Sequence, residues 1–266
     1  MQNAVVKNLI IYPIKSLGPV FFDSIEVGAQ GLAGDRQMML VDAKGKFITQ
    51  RTKTELVRFQ IKKTENGFKV IDRWDQAEAL VLPEDFTSEV SRVEIWDDEV
   101  QHVLKNEVLS EWFSEVLKES VSLVKLNPKF ERGIAEKYQT DYSKSTSFAD
   151  ALPILMCTTA SLKAVEEDYG LFDFMRFRPN IIVKNDIAFE EDELDELKIG
   201  GLNFSMKKRC ARCQLITVDP HSGQVDKQFL SRLSTYRTEE NKVYFGVQLV
   251  PGSAGLISVG DSLSGF

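Results

Sequence analysis

Lys207-Lys208-Arg209-Cys210-Ala211-Arg212-Cys213-Gln214-Leu215-Ile216-Thr217-Val218-Asp219-Pro220 sets two thiols three residues apart among four cations, directly before an apolar run that ends in Asp-Pro. The run Leu215 to Val218 reads as a buried strand, and Pro220 cannot continue it, so the thiols are expected at the start of that strand. Lys and Arg close to a thiol favour the thiolate, which is both the nucleophile and the metal ligand. Cys210 and Cys213 are two of only three cysteines in the chain, so a soft-metal or redox site in an anion-attracting setting is expected here.

Four readings of this segment compete. Half of a zinc site would need paired ligands elsewhere, and Cys157, His102 and His221 are scattered. A thioredoxin-like dithiol wants its first cysteine at a helix N-terminus, whereas a strand is expected after Cys213. A single thiolate could ligate a transition metal held mainly by an anionic cofactor, which the cations would meet. The plainest reading makes one cysteine core and the cations surface.

Outward from this segment, the chain is a succession of short strands. Ala4 to Tyr12, Val20 to Val27 and Met38 to Val41 cluster β-formers between Pro and Gly breaks, and Asp42 to Lys46 reads as a hairpin turn into Phe47 to Gln50. Val57 to Lys62, Phe68 to Ile71, Ala79 to Leu82, Arg92 to Ile95 and Val121 to Leu126 continue the series. Between them, Leu109, Trp112, Phe113, Val116 and Leu117 recur at helical spacing, with a start at Ser110-Glu111. Residues 127–147 are polar and read as a long surface loop or domain boundary. Ala151 to Thr158, Ile181 to Val183, Ile199 to Met206, Val243 to Val250 and Leu256 to Val259 read as further strands. A short helix capped by Thr159 or Ser161 and another over Phe229 to Tyr236 accompany them. Glu190 to Glu196 reads as a solvated acidic loop. A mainly β chain follows, of barrel or sandwich type.

Net charge is −7, which argues against nucleic acid as the bulk partner and makes the basic run around Cys210 a local feature. No apolar run approaches membrane-spanning length and none at the N-terminus has the form of a signal h-region, so no membrane association is expected. Three cysteines leave no fully paired disulfide framework, which points to a reducing, cytoplasmic setting.

The segment Lys-Arg-Cys-Ala-Arg-Cys-Gln-Leu-Ile-Thr-Val-Asp-Pro resembles the signature of the MOSC (molybdenum cofactor sulfurase C-terminal) domain family. The resemblance is to its two-module type, which includes the mitochondrial amidoxime reducing component and bacterial counterparts. Tyr12-Pro13-Ile14-Lys15-Ser16, Gly34-Asp35-Arg36 and Met39-Leu40-Val41-Asp42 are similar to that type's N-terminal β-barrel module. Phe177-Arg178-Pro179-Asn180-Ile181, Phe245-Gly246 and Val259-Gly260-Asp261 are similar to its MOSC module. The order of these motifs along nearly the whole chain makes the resemblance far more specific than a lone Cys-x-x-Cys.

The resemblance implies a β-rich fold of two packed modules, residues 1–126 and 127–266, with peripheral helices and the site between them. It implies molybdenum cofactor (Mo-molybdopterin), with Cys213 as the protein ligand to the metal and the group at the centre of catalysis. Lys15, Ser16, Arg36, Arg178, Asn180 and Arg212 are implied to hold the cofactor, and Arg212 to favour the Cys213 thiolate. Ala151-Leu152 replaces small hydroxyl residues, so a phosphate contact there falls to backbone N–H groups. Ala211 stands where relatives carry serine, and Gln248 where they carry a cofactor-proximal tyrosine or asparagine. Cys210 is implied to support the site or the core. The implied activity is reduction of small N-hydroxylated compounds with electrons from a separate donor protein, since no iron–sulfur cysteines follow. The alternative is a non-catalytic carrier of molybdenum cofactor or of sulfur on Cys213.

Overall fold

Nine strands form the spine of the computed structural model, which describes residues 4–264. The strand Val5–Ile11 lies between Val20–Phe22 and Ile181–Lys184, so it is built into a sheet made mostly by the second half of the chain. The path continues through Ile154–Thr158, Lys242–Pro251, Leu202–Arg212, Glu196–Ile199 and Leu263–Ser264. Ile154–Thr158 and Ile181–Lys184 pair in parallel, and helix α2 (Thr159–Tyr169) supplies part of the crossover that such a pair needs. A second sheet orders Met38–Asp42, Val121–Lys125, Asp98–Asn106 and Ser88–Ile95. Helix α1 (Glu107–Leu117) buries Leu109, Phe113 and Leu117, while α3 (Lys227–Arg237) buries Phe229 and Leu233. Among the described residues the sheets trace open paths, and the architecture is mainly β with three α-helices, as expected.

The strand Leu202–Arg212 aims the site. Its pairing with Lys242–Pro251 shifts register twice, between Met206 and Lys208 and between Arg209 and Ala211. Such irregularities bend a strand and re-aim its side chains. At the second shift the extra residue belongs to the partner strand, where Gly246 adopts φ +69°. A Cβ at Gly246 would lie 2.7 Å from both the Met156 carbonyl oxygen and Cys157 Sγ. Only glycine, free of a Cβ and at ease at positive φ, fits there. Phe245 and Phe177 stack beside it at 3.9 Å between centroids.

Several expectations are corrected. Leu215 to Val218 is not a strand: Gln214–Thr217 is a 3-10 turn, so the thiols sit at the exit of Leu202–Arg212. Thr217 Oγ1 donates to the Gln214 carbonyl at 2.7 Å, and Arg176 Nη1 donates to the Thr217 carbonyl at 3.0 Å. The turn's buried carbonyls thus find the partners that a ladder would have given them. Val20 to Val27 breaks at Asp23 into Val20–Phe22 and Ser24–Gly28, which join different sheets. Phe47 to Gln50 makes a single bridge to Val41 rather than a strand. Helix α1 starts earlier than Ser110, because Asn106 Oδ1 accepts from the Leu109 amide at 2.9 Å and so caps it. Thr158, not Thr159 or Ser161, caps α2. The polar stretch 127–147 is not wholly surface, since Ile134, Ser143, Ser145, Thr146 and Ser147 are buried. Glu191, in the acidic run, is fully buried, and its Oε2 accepts from the hydroxyls of Thr158 and Ser161 at 3.0 and 2.8 Å.

Candidate functional site

Cys213 opens onto a cavity of about 900 Å³, and an inner recess of about 90 Å³ adjoins it. The two share Arg51, Asp150, Phe177, Cys210, Arg212, Leu215 and Gln248 as walls. Every residue expected to hold the cofactor or its metal lines one or the other. Lys15, Ser16, Arg36, Leu152, Arg178 and Asn180 line the recess. Ala151, Ala211 and Cys213 line the outer chamber, while Arg212 and Gln248 face both.

The recess is built from strained backbone. Ser16, Arg36 and Arg178 take φ of +66°, +47° and +54°. That left-handed conformation costs a residue with a Cβ roughly 1–2 kcal/mol. Arg36 and Arg178 both lie over the Tyr12 ring, at 4.5 and 4.0 Å from its centroid. Arg36 Nη1 donates to Asp35 at 2.5 Å and to Asn180 Oδ1 at 3.1 Å, and Nη2 donates to the Arg178 carbonyl at 3.2 Å. Arg178 Nη2 donates to the Leu17 carbonyl at 2.9 Å. Residues 12–36 and 178–180 are thereby locked together around one concave, cationic surface.

Asn180 is the knot of this arrangement. Its Nδ2 donates to the Ile10 carbonyl and its Oδ1 accepts from the Leu155 amide, each at 3.1 Å. With Arg36 as a third partner and 1% exposure, its amide is engaged by protein on both sides. Asn180 positions the recess wall. Pro179, between Arg178 and Asn180, accepts the Tyr12 hydroxyl at its carbonyl at 3.2 Å.

Asp150 organises the junction between recess and chamber. It pairs with Lys15, accepts from Arg51 Nη2 at 2.8 Å and accepts from Trp96 Nε1 at 3.2 Å. Its side chain is 41% exposed; the protein around it removes some water, which would raise the carboxyl, but Lys15 and Arg51 outweigh that and hold it far below the usual carboxylate range. Burial pushes Lys15 down to about 8, against the opposing pull of Asp150. Burial also takes Arg178 down to about 10, with Arg36 adding to the effect.

The cation on Cys213 is Arg51, not its neighbour Arg212. Arg51 Nε donates to Cys213 Sγ at 3.3 Å, and its guanidinium lies 4.4 Å from the Trp96 ring centroid. Arg212 turns inward, donating to the carbonyls of Phe245 and Phe177 at 2.9 and 3.0 Å, and its Nη2 is buried without a hydrogen-bond partner among the described residues. Arg51, Trp96 and Asp150 were missed in the sequence. Asp150 had one signal, its place directly before Ala151-Leu152; the other two had none.

The geometry removes the dithiol reading. Cys210 lies in the strand Leu202–Arg212, and Cys213 continues in extended backbone. Three residues of extended chain separate their Cα atoms by roughly 10 Å, beyond the reach of a disulfide. Cys210 packs against the Tyr12–Phe177–Phe245 cluster, and burial raises its thiol. Cys157 is fully buried in the same cluster and is core. Among the described residues no group of three or more His, Cys, Asp or Glu side chains could hold a metal ion, which leaves zinc without a ligand set. A metal at Cys213 must bring its other ligands with it. Nor is any described helix long and apolar enough to cross a membrane.

Comparison with known proteins shows the family. The MOSC N-terminal beta barrel domain matches residues 3–120, and the MOSC domain matches residues 143–264. Human mitochondrial amidoxime reducing component 2 is 31% identical over 98% of this chain and 83% of its own length. Bovine molybdenum cofactor sulfurase is 29% identical over 97% of this chain but only 31% of its own length, so the chain spans about a third of that protein. The YUAD protein of Bacillus subtilis, a solved structure, superposes with a TM-score of 0.46 at 10% identity, covering 98% of this chain and 94% of that one. Two domain matches in sequence, and a relative aligned across most of both chains, show that this protein belongs to the MOSC family in its two-module form.

Proposed function

We propose that the chain binds molybdenum cofactor between modules 1–126 and 127–266 and reduces N-hydroxylated compounds such as amidoximes, hydroxylamines and N-hydroxylated bases. One observation carries the reading: a single exposed soft thiol, Cys213, opens on the same cavity system as Lys15, Arg36, Arg178 and Arg212, drawn from both halves of the chain. The residues fit the group. Arg212 lines both the chamber and the recess, and Arg36 and Arg178 line the recess beside it. A cationic recess suits a phosphate, and one thiolate suffices for a metal whose other sulfurs come with the pterin.

When bound, the cofactor supplies the oxygen-accepting, two-electron chemistry. The chain's own residues do the rest. Cys213 is the protein ligand, and Arg51 holds it in place. Lys15, Arg36 and Arg178 neutralise the anion, with Ser16 beside them. Leu152 and Asn180 shape the recess. Backbone N–H groups at Ala151-Leu152 would meet an anionic group of the cofactor, with Ala211 and Gln248 also lining the cavity. In the reaction the substrate N–O bond breaks, two electrons and two protons are consumed, and the oxygen leaves as water. The electrons come from a separate electron-donor redox protein. We place the reaction in the cytoplasm, with no nucleic-acid or membrane partner.

The test is reduction of benzamidoxime by molybdenum-loaded protein with a reduced viologen as donor. Turnover that is lost in Cys213→Ala supports the reading, and no turnover by loaded wild-type protein refutes it. The exposure of Cys213 also favours a second reading, a sulfur carrier. A stable persulfide on Cys213 in protein that lacks metal, seen by mass spectrometry, would select it.

A further inference from the structure

The outer chamber has a chemistry that holding a cofactor does not use. Trp96, Tyr138 and Tyr244 line it together with Lys208, Lys242 and Cys213. Lys242 and Tyr244 belong to the strand Lys242–Pro251, whose two-residue period puts them on one face. Cys213 directly follows the register pair Arg212–Val243, so Lys242 occupies the next cross-strand position. Cross-strand neighbours lie roughly 5 Å apart between Cα atoms. Trp96 is 42% exposed, with Arg51 4.4 Å and Phe47 4.8 Å from its ring centroid, and it lines the chamber.

The charges are not all committed. Arg51 is engaged by Asp150 at 2.8 Å, and Arg209 by Glu239 at 2.7 Å. Among the described residues, neither Lys208 nor Lys242 has a carboxylate within ion-pair distance; Lys208 Nζ rests 4.7 Å from the Tyr138 ring centroid. The chamber lining holds six cations against one carboxylate in a chain of net charge −7. Aromatic faces suit a flat ligand, and unpaired lysines beside them suit a negative charge on it.

Resting on the reductase reading, we propose that this chamber selects N-oxygenated substrates that are both planar and anionic. The class is an aromatic amidoxime or hydroxylamine carrying a carboxylate or phosphate, with Lys208 and Lys242 setting the preference. The ring lies among Trp96, Tyr138 and Tyr244, the N–O group faces Cys213, and the anionic group meets the lysines.

The experiment measures binding apart from turnover, by calorimetry on the cofactor-loaded full chain. The probes are benzamidoxime, 4-carboxybenzamidoxime and the phosphate ester of 4-hydroxybenzamidoxime, which share ring and N–O group and differ in charge. Each charge-assisted contact should contribute about tenfold. Wild-type protein is expected to bind at least one anionic probe about ten times or more tighter than the neutral one, and which probe wins identifies the anion. In Lys208→Gln/Lys242→Gln the ratio should fall toward one, and in Lys208→Arg/Lys242→Arg it should be kept. Equal affinity of wild-type protein for all three probes overturns the inference, as does a ratio preserved in the double Gln variant. Viologen-linked turnover is scored separately: no reduction of any probe sinks the reductase reading, while the affinity ratios still decide the chamber.

Discussion

Replacing Asn180 by Ala tests whether this residue holds the recess together or merely faces a ligand. Asn180 lies 1% exposed and joins three partners: the Ile10 carbonyl, the Leu155 amide and the Arg36 guanidinium, each at 3.1 Å. Truncation leaves three buried groups short of a partner at once. Arg36 keeps Asp35 and the Arg178 carbonyl, so its share is small. A buried polar group left unmet costs about 1–3 kcal/mol, which makes the sum about 3–5 kcal/mol. That is a large part of the ~5–15 kcal/mol that stabilises a domain. For a chain of this size it is roughly a 10 °C fall in melting temperature, because about 1 kcal/mol shifts it about 2–4 °C. The assay is thermal and urea unfolding of cofactor-free protein, wild type against Asn180→Ala. A variant that melts within about 2 °C of wild type would refute the reasoning and return Asn180 to the role of a direct cofactor ligand.

Lys15 gives a pH prediction. Its folded value of about 8 lies below the ordinary 10.5. Burying the charged form therefore costs stability below pH 8, and that cost fades as pH rises from about 8 to 10.5. The stability of wild type relative to Lys15→Met should rise across that window by up to about 3 kcal/mol, read by urea unfolding at each pH. Loss of the same proton should weaken sulfate binding to the recess between about pH 7 and 9 in wild type and leave Lys15→Met without that dependence, read by calorimetry. Gly246→Ala should cost about 3 kcal/mol, from left-handed strain plus overpacking. The added methyl would meet the Met156 carbonyl and Cys157 Sγ at 2.7 Å. Thermal melting reads the effect, and an unchanged melting temperature would mean that the strand can shift there freely.

What was legible in the sequence was whatever local pattern controls. Val5–Ile11, Met38–Asp42 and Lys242–Pro251 are strands, and each is a run of β-formers between Pro, Gly and Asp breaks. The site residues were legible through ordered motifs, since Lys15-Ser16, Asp35-Arg36, Arg178-Pro179-Asn180 and Cys213 bring side chains to one cavity system. Asp98–Asn106 escaped notice because its buried positions, Val100, Val103 and Asn106, fall three apart, and His102 sits at φ +55°. Leu215 to Val218 has strand composition but turns, because Arg176, forty residues away, satisfies its carbonyls. Glu191 looked solvated because its partners, Thr158 and Ser161, are thirty residues distant. Arg51 and Trp96 carry nothing in their own sequence that shows what they do, and Asp150 has only its place before Ala151-Leu152. Their role exists only once the loops that bear them meet at Cys213.

The central claim is that Cys213 alone anchors a metal whose remaining ligands arrive with a pterin. The measurement is molybdenum by elemental analysis together with oxidised-pterin fluorescence, on protein made in a cofactor-competent host. Wild type is run beside Cys213→Ala and Cys210→Ala. Near-stoichiometric metal and pterin in wild type and Cys210→Ala, with metal lost in Cys213→Ala, is the predicted result. Neither metal nor pterin in wild-type protein whose thiols are intact would contradict the account.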